Sequence, residues 1–418
     1  MKQIQIAENT WKIGSNLGNE ELFEGIWPTP DGVSVNSYFI REEKSVLIDI
    51  IKKGEEFINE YEEELNAVDA SLKTVDYLII NHMEPDHTGA LLKLTRFNPN
   101  VRIFCTKKSV PMLKAFYGIE KNVTAVSDGD TLDLGNGRIL SFLETPNIHW
   151  PETMMTYDSK NQILFSCDAF GSFKALPEGK TFDDEMNEQE MNEFQAETLR
   201  YYSNIVSTFT PFVVNGLKKL ASLKIKVIAP SHGMVWRKNP ETIVNWYQKL
   251  CDFAVRGDRR ITVIWSSMYG NTEAMLKTVI DTLNEVGIPY SVYRIPDEPK
   301  LSYVLADCWR SEGIILGMPT YEYRMFPPMA HVIDLLDRSH IKNRLAFRFG
   351  SFGWSGGAQK QLDELTAKLN WTFLNPVEFQ GAPKEEDKAK AAAEIREMAN
   401  RINADRGNDC QPKDGAVF

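Results

Sequence analysis

Two kinds of hydrophobic spacing divide this chain. Through its first half, short apolar runs of strand length alternate with polar loops. They predict strands at 33–39 and 45–51, flanking the turn Arg41-Glu42-Glu43-Lys44, and further strands at 74–80, 101–105, 138–143, 153–157, 162–167 and 225–229. Helical spacing falls at 88–97, over most of 183–223, and at 241–255. The pattern changes near Arg256-Gly257-Asp258-Arg259-Arg260. From there β-rich runs at 261–266, 290–295, 313–317, 345–350 and 371–379 alternate with helical runs at 272–286, 302–309, 327–338, 357–369 and 384–402. Regular β/α alternation predicts a doubly wound parallel sheet. Residues 403–418 are polar with two glycines and predict a loose tail.

The length of 418 residues agrees with this division. A single core stops growing at roughly 250–300 residues, so two domains are expected, 1–255 and 256–402, with the tail 403–418 after them. Lys plus Arg number 47 and Asp plus Glu 58, a net charge of −11 that repels phosphate backbones and disfavours nucleic acid as a partner. No apolar run approaches the ~18 residues of a membrane span. The start, Met-Lys-Gln-Ile-Gln-Ile-Ala-Glu, lacks the apolar core of a signal peptide. Cysteines at 105, 167, 251, 308 and 410 are odd in number and never spaced C-x-x-C. That usage predicts a reducing, cytoplasmic setting and no fused iron–sulfur or rubredoxin-type module, hence a separate electron donor.

The candidate chemistry lies where predicted strands end. Asn81-His82-Met83-Glu84-Pro85-Asp86-His87 follows the strand 74–80. His149 follows 138–143, Asp168 ends 162–167, and His232 follows 225–229. Strand ends presenting polar groups to one rim make a site on a sheet edge. His82, Glu84 and Asp86 cannot all point one way from a helix; they suit an extended turn, stiffened by Pro85, that splays toward two centres. Seven nitrogen and carboxylate donors are enough for two metal ions. Imidazole suits iron and zinc alike, whereas added carboxylates favour iron or manganese. His331 and His340 have no carboxylate partners in the pattern and read as ordinary polar residues. Asp183-Asp184-Glu185 reads as a solvated face or a loop flanking the site.

A second motif, Ser266-Ser267-Met268-Tyr269-Gly270-Asn271-Thr272, joins the first strand of the second domain to its helix. Hydroxyls, backbone amides and a helix N-terminus there can wrap a phosphate monoester. Two later strand ends belong with it: Pro319, Thr320, Tyr321, Glu322 and Tyr323, and Ser351, Phe352, Gly353, Trp354, Ser355 and Gly356. Ligands of such sheets bind beyond the carboxyl ends of the strands, and Tyr269, Tyr321 and Trp354 offer flat surfaces for an isoalloxazine ring. The loop resembles a flavodoxin phosphate loop, which favours FMN. The absence of G-x-G-x-x-G argues against a dinucleotide fold.

H-x-[HE]-x-D-H with a distant His, Asp and His resembles the metallo-β-lactamase superfamily. Glu84 at the third motif position, Trp150 after His149, and the flavodoxin-like second half together resemble the flavodiiron proteins over roughly residues 1–402. The resemblance implies an α/β chain: an N-terminal metallo-β-lactamase-like αββα sandwich and a C-terminal flavodoxin-like sheet. It also implies two irons. His82, Glu84 and His149 would hold one, Asp86, His87 and His232 the other, and Asp168 would bridge them. Electrons would pass from FMN to the iron pair, reducing dioxygen to water or nitric oxide to nitrous oxide. The donor would be a rubredoxin-like protein or a reduced deazaflavin coenzyme. A head-to-tail homodimer, or a dimer of such dimers, would set one chain's flavin against the other's metals, with Trp150, Tyr321, Tyr323 and Trp354 as candidates for the interface. The rival reading is a zinc hydrolase of the lactamase superfamily with a flavodoxin-like appendage; Glu84 and the intact flavin loop speak against it.

Overall fold

A computed structural model describes residues 3–19, 22–296 and 301–404. The chain divides into two compact units, Met1–Gln248 and Lys249–Phe418, the division falling inside the helix Pro240–Asp252.

The first unit stacks two sheets. The larger runs in the order Ile4–Ala7, Thr10–Leu17, Val33–Ile40, Val46–Ile48, Tyr77–Ile80, Arg102–Thr106 and Val123–Val126. The smaller runs Thr131–Asp133, Ile139–Glu144, Met154–Asp158, Ile163–Cys167 and Val227–Pro230. Alternation along Val33–Ile40 explains why all eight of its residues are buried. Tyr38 and Ile40 face the smaller sheet, where they join Phe142, Met154, Ile163, Phe165 and Val227. Val35 and Phe39 face the other way, toward Ile58, Tyr61 and Leu65 of the helix Glu55–Ala67. Each such side chain contributes about 1.5–3 kcal/mol by leaving water. On the smaller sheet's side, Tyr247 of the helix Pro240–Asp252 packs at a tilt against Phe170 and edge-on against Tyr202. The unit is therefore layered helix, sheet, sheet, helix.

The second unit is a parallel sheet in the order Tyr290–Arg294, Asp258–Trp265, Ser311–Gly317, Leu345–Phe352 and Thr372–Phe373. Helices Asn271–Val286 and Glu385–Ala404 share one core with Val263, Ile315, Phe347 and Phe349. This is the doubly wound arrangement that the alternation predicts.

Several expectations need correction. The run 88–97 is two pieces, Pro85–Thr88 and Leu91–Phe97. The fifth strand of the second unit breaks into Thr372–Phe373 and Val377–Gln380, because Pro376 between them has no N–H for the ladder. The region 183–223 holds Glu188–Tyr201 and Thr210–Leu220, separated by a π-turn at Tyr202–Val206 and a short 3₁₀ turn. The last helix runs on to Ala404; the rest of the expected tail, 405–418, lies outside the described residues. The strands Ile4–Ala7 and Thr10–Leu17 and the helices Glu55–Ala67 and Ser109–Tyr117 are not among the predicted elements.

Candidate functional site

The strand Tyr77–Ile80 ends two residues before His82, and the chain stays extended to Glu84, at φ −60° and ψ 144°. Pro85 then opens a single helical turn, Pro85–Thr88. Pro suits that first position, having no N–H to leave unpaired. The run is thus half extended and half helical, not one extended turn, and the change of conformation is what sends Glu84 one way and Asp86 with His87 another. The turn lies tightly on the segment before it: a Cβ on Gly89 would sit 2.2 Å from the Lys53 nitrogen. Ile163–Cys167 ends on a register shift, with Cys167 at φ 53°, and this re-aims Asp168 off the sheet. His232 follows Val227–Pro230 in the same sheet, while His82 comes from the other sheet. The rim is therefore that of the whole sandwich and not the edge of one sheet.

The structure brings all seven predicted residues of this unit together. Glu84 Oε2 lies 3.2 Å from His82 Nε2 and 3.0 Å from His149 Nε2. Asp86 Oδ1 lies 3.4 Å from His87 Nε2, and its Oδ2 lies 3.3 Å from His232 Nε2. Asp168 stands between the two groups. Its Oδ2 is 3.5 Å from His82 Nε2 and 3.3 Å from His149 Nε2. Its Oδ1 is 3.0 Å from His87 Nε2 and 3.4 Å from His232 Nε2. One carboxylate thus turns one oxygen to each cluster. His82, His87, Asp168 and His232 are buried.

The second imidazole nitrogens show how two of the rings are oriented. His82 Nδ1 pairs with Glu152 Oε1 at 2.8 Å, and the same oxygen accepts the Met83 N–H at 3.0 Å. His232 Nδ1 donates to the Ser34 carbonyl at 2.8 Å. With Nδ1 donating, each Nε2 is free to present a lone pair to the cluster. Neither Glu152 nor Ser34 was predicted. Glu152 is three residues past His149, but nothing in the sequence ties it to His82, 70 residues earlier.

The electrostatics are those of carboxylates and imidazoles crowded into one buried volume. Burial disfavours the charged forms of Glu84, Asp168 and the four histidines, yet the pairing of carboxylate with imidazole overcomes it. Glu84 is held down at about 2 by His149 and His82. His149 is carried up to about 10 by Asp168 and Glu84 against its burial, and His232 to about 9 by Asp168 and Asp86. Asp168 is held well below the carboxylate range, chiefly by His87 against burial. Even so, both Asp86 oxygens, Asp168 Oδ1, His87 Nε2 and His232 Nε2 are buried without a hydrogen bond among the described residues. Buried orphans of this kind are expensive. Oxygen and imidazole donors aimed at shared points fit metal ions, which would satisfy them at once. His82, Glu84, His149 and Asp168 form one such group, and Asp86, His87 and His232 another.

A cavity of about 350 Å³, lined by Phe23, Glu24, Lys52, Lys53, Glu84 and Asp86 among others, leads to the cluster. Phe23 packs edge-on against His232, ring centroids 5.4 Å apart, and Tyr201 lies 5.7 Å from the same ring. The Tyr201 hydroxyl is buried and has no hydrogen-bond partner among the described residues. The π-turn begins at the next residue; such turns recur at functional sites because they shift a side chain out of helical register.

The second unit's predicted residues gather at the carboxyl ends of its strands. Gly270, at φ 88°, caps the helix Asn271–Val286 in a backbone region that disfavours any side chain. Ser267 Oγ accepts the Gly270 N–H at 3.0 Å. Buried Thr272 and Ser351 pair through their hydroxyls at 3.0 Å, linking the first loop to the last. Ser266 donates to the Ile295 carbonyl at 2.7 Å. Between them stands a hairpin, Thr320–Tyr321 with Arg324–Met325, that the sequence did not reveal. Its loop residues Glu322 and Tyr323 sit at φ 47° and 64°, a cost of about 1–3 kcal/mol each of the kind held at ligand sites. Pro319 and Thr320 are buried, and the Thr320 hydroxyl has no partner among the described residues. Met268, Tyr269, Tyr321, Tyr323 and Trp354 are exposed, Tyr269 at 91% and Trp354 at 69%. Phe352 and Gly356 are half-buried, and Gly353 and Ser355 exposed. A free helix N-terminus beside hydroxyls, an orphaned hydroxyl and a rim of uncovered aromatics fit a phosphate with a flat ring.

Comparison with known proteins agrees with the division into two units. Residues 33–233 match the family described as ODP family beta lactamase, and residues 263–395 match Flavodoxin. The anaerobic nitric oxide reductase flavorubredoxin of Aeromonas hydrophila is 36% identical over 402 residues, 95% of this chain and 77% of that protein. Among solved structures, rubredoxin oxygen:oxidoreductase from Desulfovibrio gigas superposes with a TM-score of 0.90 at 25% identity, over 96% of this chain and 99% of that one. The flavodiiron protein of Giardia intestinalis superposes with a TM-score of 0.88 at 26% identity, over 98% and 99%.

Proposed function

The chain belongs to the flavodiiron proteins, and on that premise we propose that it passes electrons from FMN to a diiron centre that reduces nitric oxide to nitrous oxide, dioxygen to water, or both. It is an oxidoreductase of the nitric oxide and oxygen reductase type. When bound, FMN supplies the store of electrons and the iron pair the place where the gas is held and reduced. Residues 1–255 carry the metal centre and 256–402 the flavin.

The observation that carries this reading is Asp168, with one oxygen turned to each imidazole cluster. On these distances His82, Glu84 and His149 hold one iron, Asp86, His87 and His232 the other, and Asp168 joins them. Glu152 and the Ser34 carbonyl keep His82 and His232 in the tautomer that binds metal. The cavity beside Glu84 and Asp86 admits the gas, and buried Tyr201 offers it a hydroxyl that has no partner among the described residues. In the second unit, Ser266 and Met268 to Thr272 surround the FMN phosphate. Pro319 to Tyr323 and Ser351 to Gly356 enclose the ring.

The electron donor is a redox centre of rubredoxin type. The working unit is a head-to-tail dimer, one chain's flavin serving its partner's irons; the exposed Tyr321, Tyr323 and Trp354 support this, having no cover of their own. Among the described residues no helix is long and apolar enough to cross a membrane.

Metal analysis and a visible spectrum of the purified protein test the reading. Near two irons per chain with a flavin band is the expected result; zinc without flavin overturns it in favour of a hydrolase. Mixed dimers of a His82→Ala chain and a Thr272→Arg chain test the pairing: recovered turnover supports transfer between chains, and mixed dimers without it refute that.

A further inference from the structure

Arg348 is fully buried in the middle of the strand Leu345–Phe352, where a parallel sheet normally carries an apolar side chain. Its Nη1 donates to Glu378 Oε1 at 2.7 Å, and its Nη2 to the Met318 carbonyl at 3.4 Å. Its Nε has no partner among the described residues. Met318 immediately precedes the flavin-loop residues Pro319 to Tyr323. Glu378 lies in Val377–Gln380, the displaced half of the broken fifth strand, and pairs in register with Gly350.

Two close approaches tie this pair to the ring-enclosing loops, and a third ties those loops to each other. A Cβ on Gly350 would stand 1.7 Å from the Met318 carbonyl oxygen and 3.2 Å from Arg348 Nη2, so only glycine lets that carbonyl turn toward the guanidinium. A Cβ on Gly356 would stand 3.4 Å from both Glu378 carboxylate oxygens, so the carboxylate lies against the backbone of the last loop. The strained turn at Glu322 and Tyr323 is held against the same loop: a Cβ on Gly357 would stand 2.1 Å from the Tyr323 carbonyl oxygen. Burying a guanidinium is costly unless its partner offsets it, and Glu378, whose side chain keeps 31% of its surface in water, offsets it only in part. Stability alone therefore does not account for a charge here, whereas a need to fix two loops does.

We propose that Arg348 and Glu378 are a positioning pair for the flavin, fastening the loop after Ser311–Gly317 and the loop after Leu345–Phe352 at the spacing that the ring requires. This rests on the reading of the second unit as an FMN site. Neither residue touches the ring; they act through the Met318 carbonyl and the Gly356 backbone.

The test uses the full chain, stripped of FMN and titrated with FMN while flavin fluorescence is followed, with the melting temperature of each stripped variant recorded alongside. Glu378→Gln and Arg348→Met should each weaken FMN binding by about tenfold or more. The double variant Arg348→Met with Glu378→Leu leaves no unpaired charge. It should regain the melting temperature of the parent while its FMN binding stays about tenfold weak. Saturated with FMN, Glu378→Gln should also show a higher flavin reduction potential, since the cation it leaves beneath the loops is no longer neutralised and favours the added electron. A purely structural role predicts otherwise: affinity would return with the melting temperature in the double variant, or the potential would not move. Either result overturns the proposal. A parent chain that takes up no FMN would instead sink the reading of the unit itself, and this inference with it.

Discussion

The two units solve the problem of holding a reactive group in opposite ways. The first uses side chains: seven imidazoles and carboxylates, most of them buried, drawn from both sheets of a sandwich and left with unpaired polar atoms. The second uses mostly backbone: a glycine-capped helix start, a strained hairpin and loops whose aromatics face outward. A site of buried side chains has to be complete, because each missing partner leaves a desolvated charge. A site of loops tolerates loss by degrees, since water can replace a contact. Substitutions should therefore act more steeply in the first unit than in the second.

The steepest case is Asp168→Ala. Removing the one group shared by both clusters should strip iron from both and cut turnover by more than about 100-fold, leaving the flavin band intact. Iron per chain against flavin absorbance reads this directly, and an Ala variant with two irons and near-full rate would falsify the bridge.

Glu152→Gln probes one layer further out. Gln can still accept the Met83 N–H but loses the charge that faces His82. Iron affinity should fall by about 10–100-fold, the usual cost of losing a group that orients a metal-binding histidine. Competition with a chelator measures it. A loss no larger than that of a surface mutation would mean that His82 needs no help.

In the second unit the comparison predicts a gentler effect. Thr272→Val removes one hydroxyl from the phosphate loop and its link to Ser351, and FMN binding should weaken by about tenfold, as for one hydrogen bond to a charged group. Iron content should not change. A complete loss of both flavin and fold would erase the distinction drawn here.

The smallest effect is one of protons. His149 and His232 have folded values raised to about 10 and about 9, above the ~6.5 of an unfolded histidine. In the metal-free protein their charge is stabilising in full below that unfolded value, and the contribution is lost as pH rises through 9 to 10. Both rings therefore hold a proton more tightly than a free histidine does, and metal must displace it. Loading iron in weak buffer should release more than one proton per chain, seen with a pH indicator. In the second unit, FMN uptake should release none from a histidine, since the predicted flavin residues include none.

Much of the metal site was legible because its ligand types are rare and their spacing is fixed by strand ends. His82, Glu84, Asp86 and His87 announce themselves within six residues, and Asp168 and His232 each follow an apolar run of strand length. The loop at Ser266 to Thr272 stood out for a similar reason: a turn between strand and helix has few solutions. The alternation of β and α runs likewise determined the class of the second unit.

What the sequence could not supply are relations between distant segments. That Glu152 serves His82, that the Ser34 carbonyl fixes His232, and that Asp168 gives one oxygen to each cluster depend on how two sheets pack. Local periodicity records which face of an element is apolar, not what will cover it. The hairpin at Thr320–Met325 escaped notice because its turn residues, Glu322 and Tyr323, are not ones that favour positive φ; contacts with the Gly357 backbone hold them there. The buried Arg348 looked like any charged residue until its strand took a central place in the sheet. Sequence determined which chemistry the chain carries, because residue type is chemistry. Tertiary structure alone decided which atoms meet, because burial, orientation and pairing are properties of the packed sheets and not of any one of their strands.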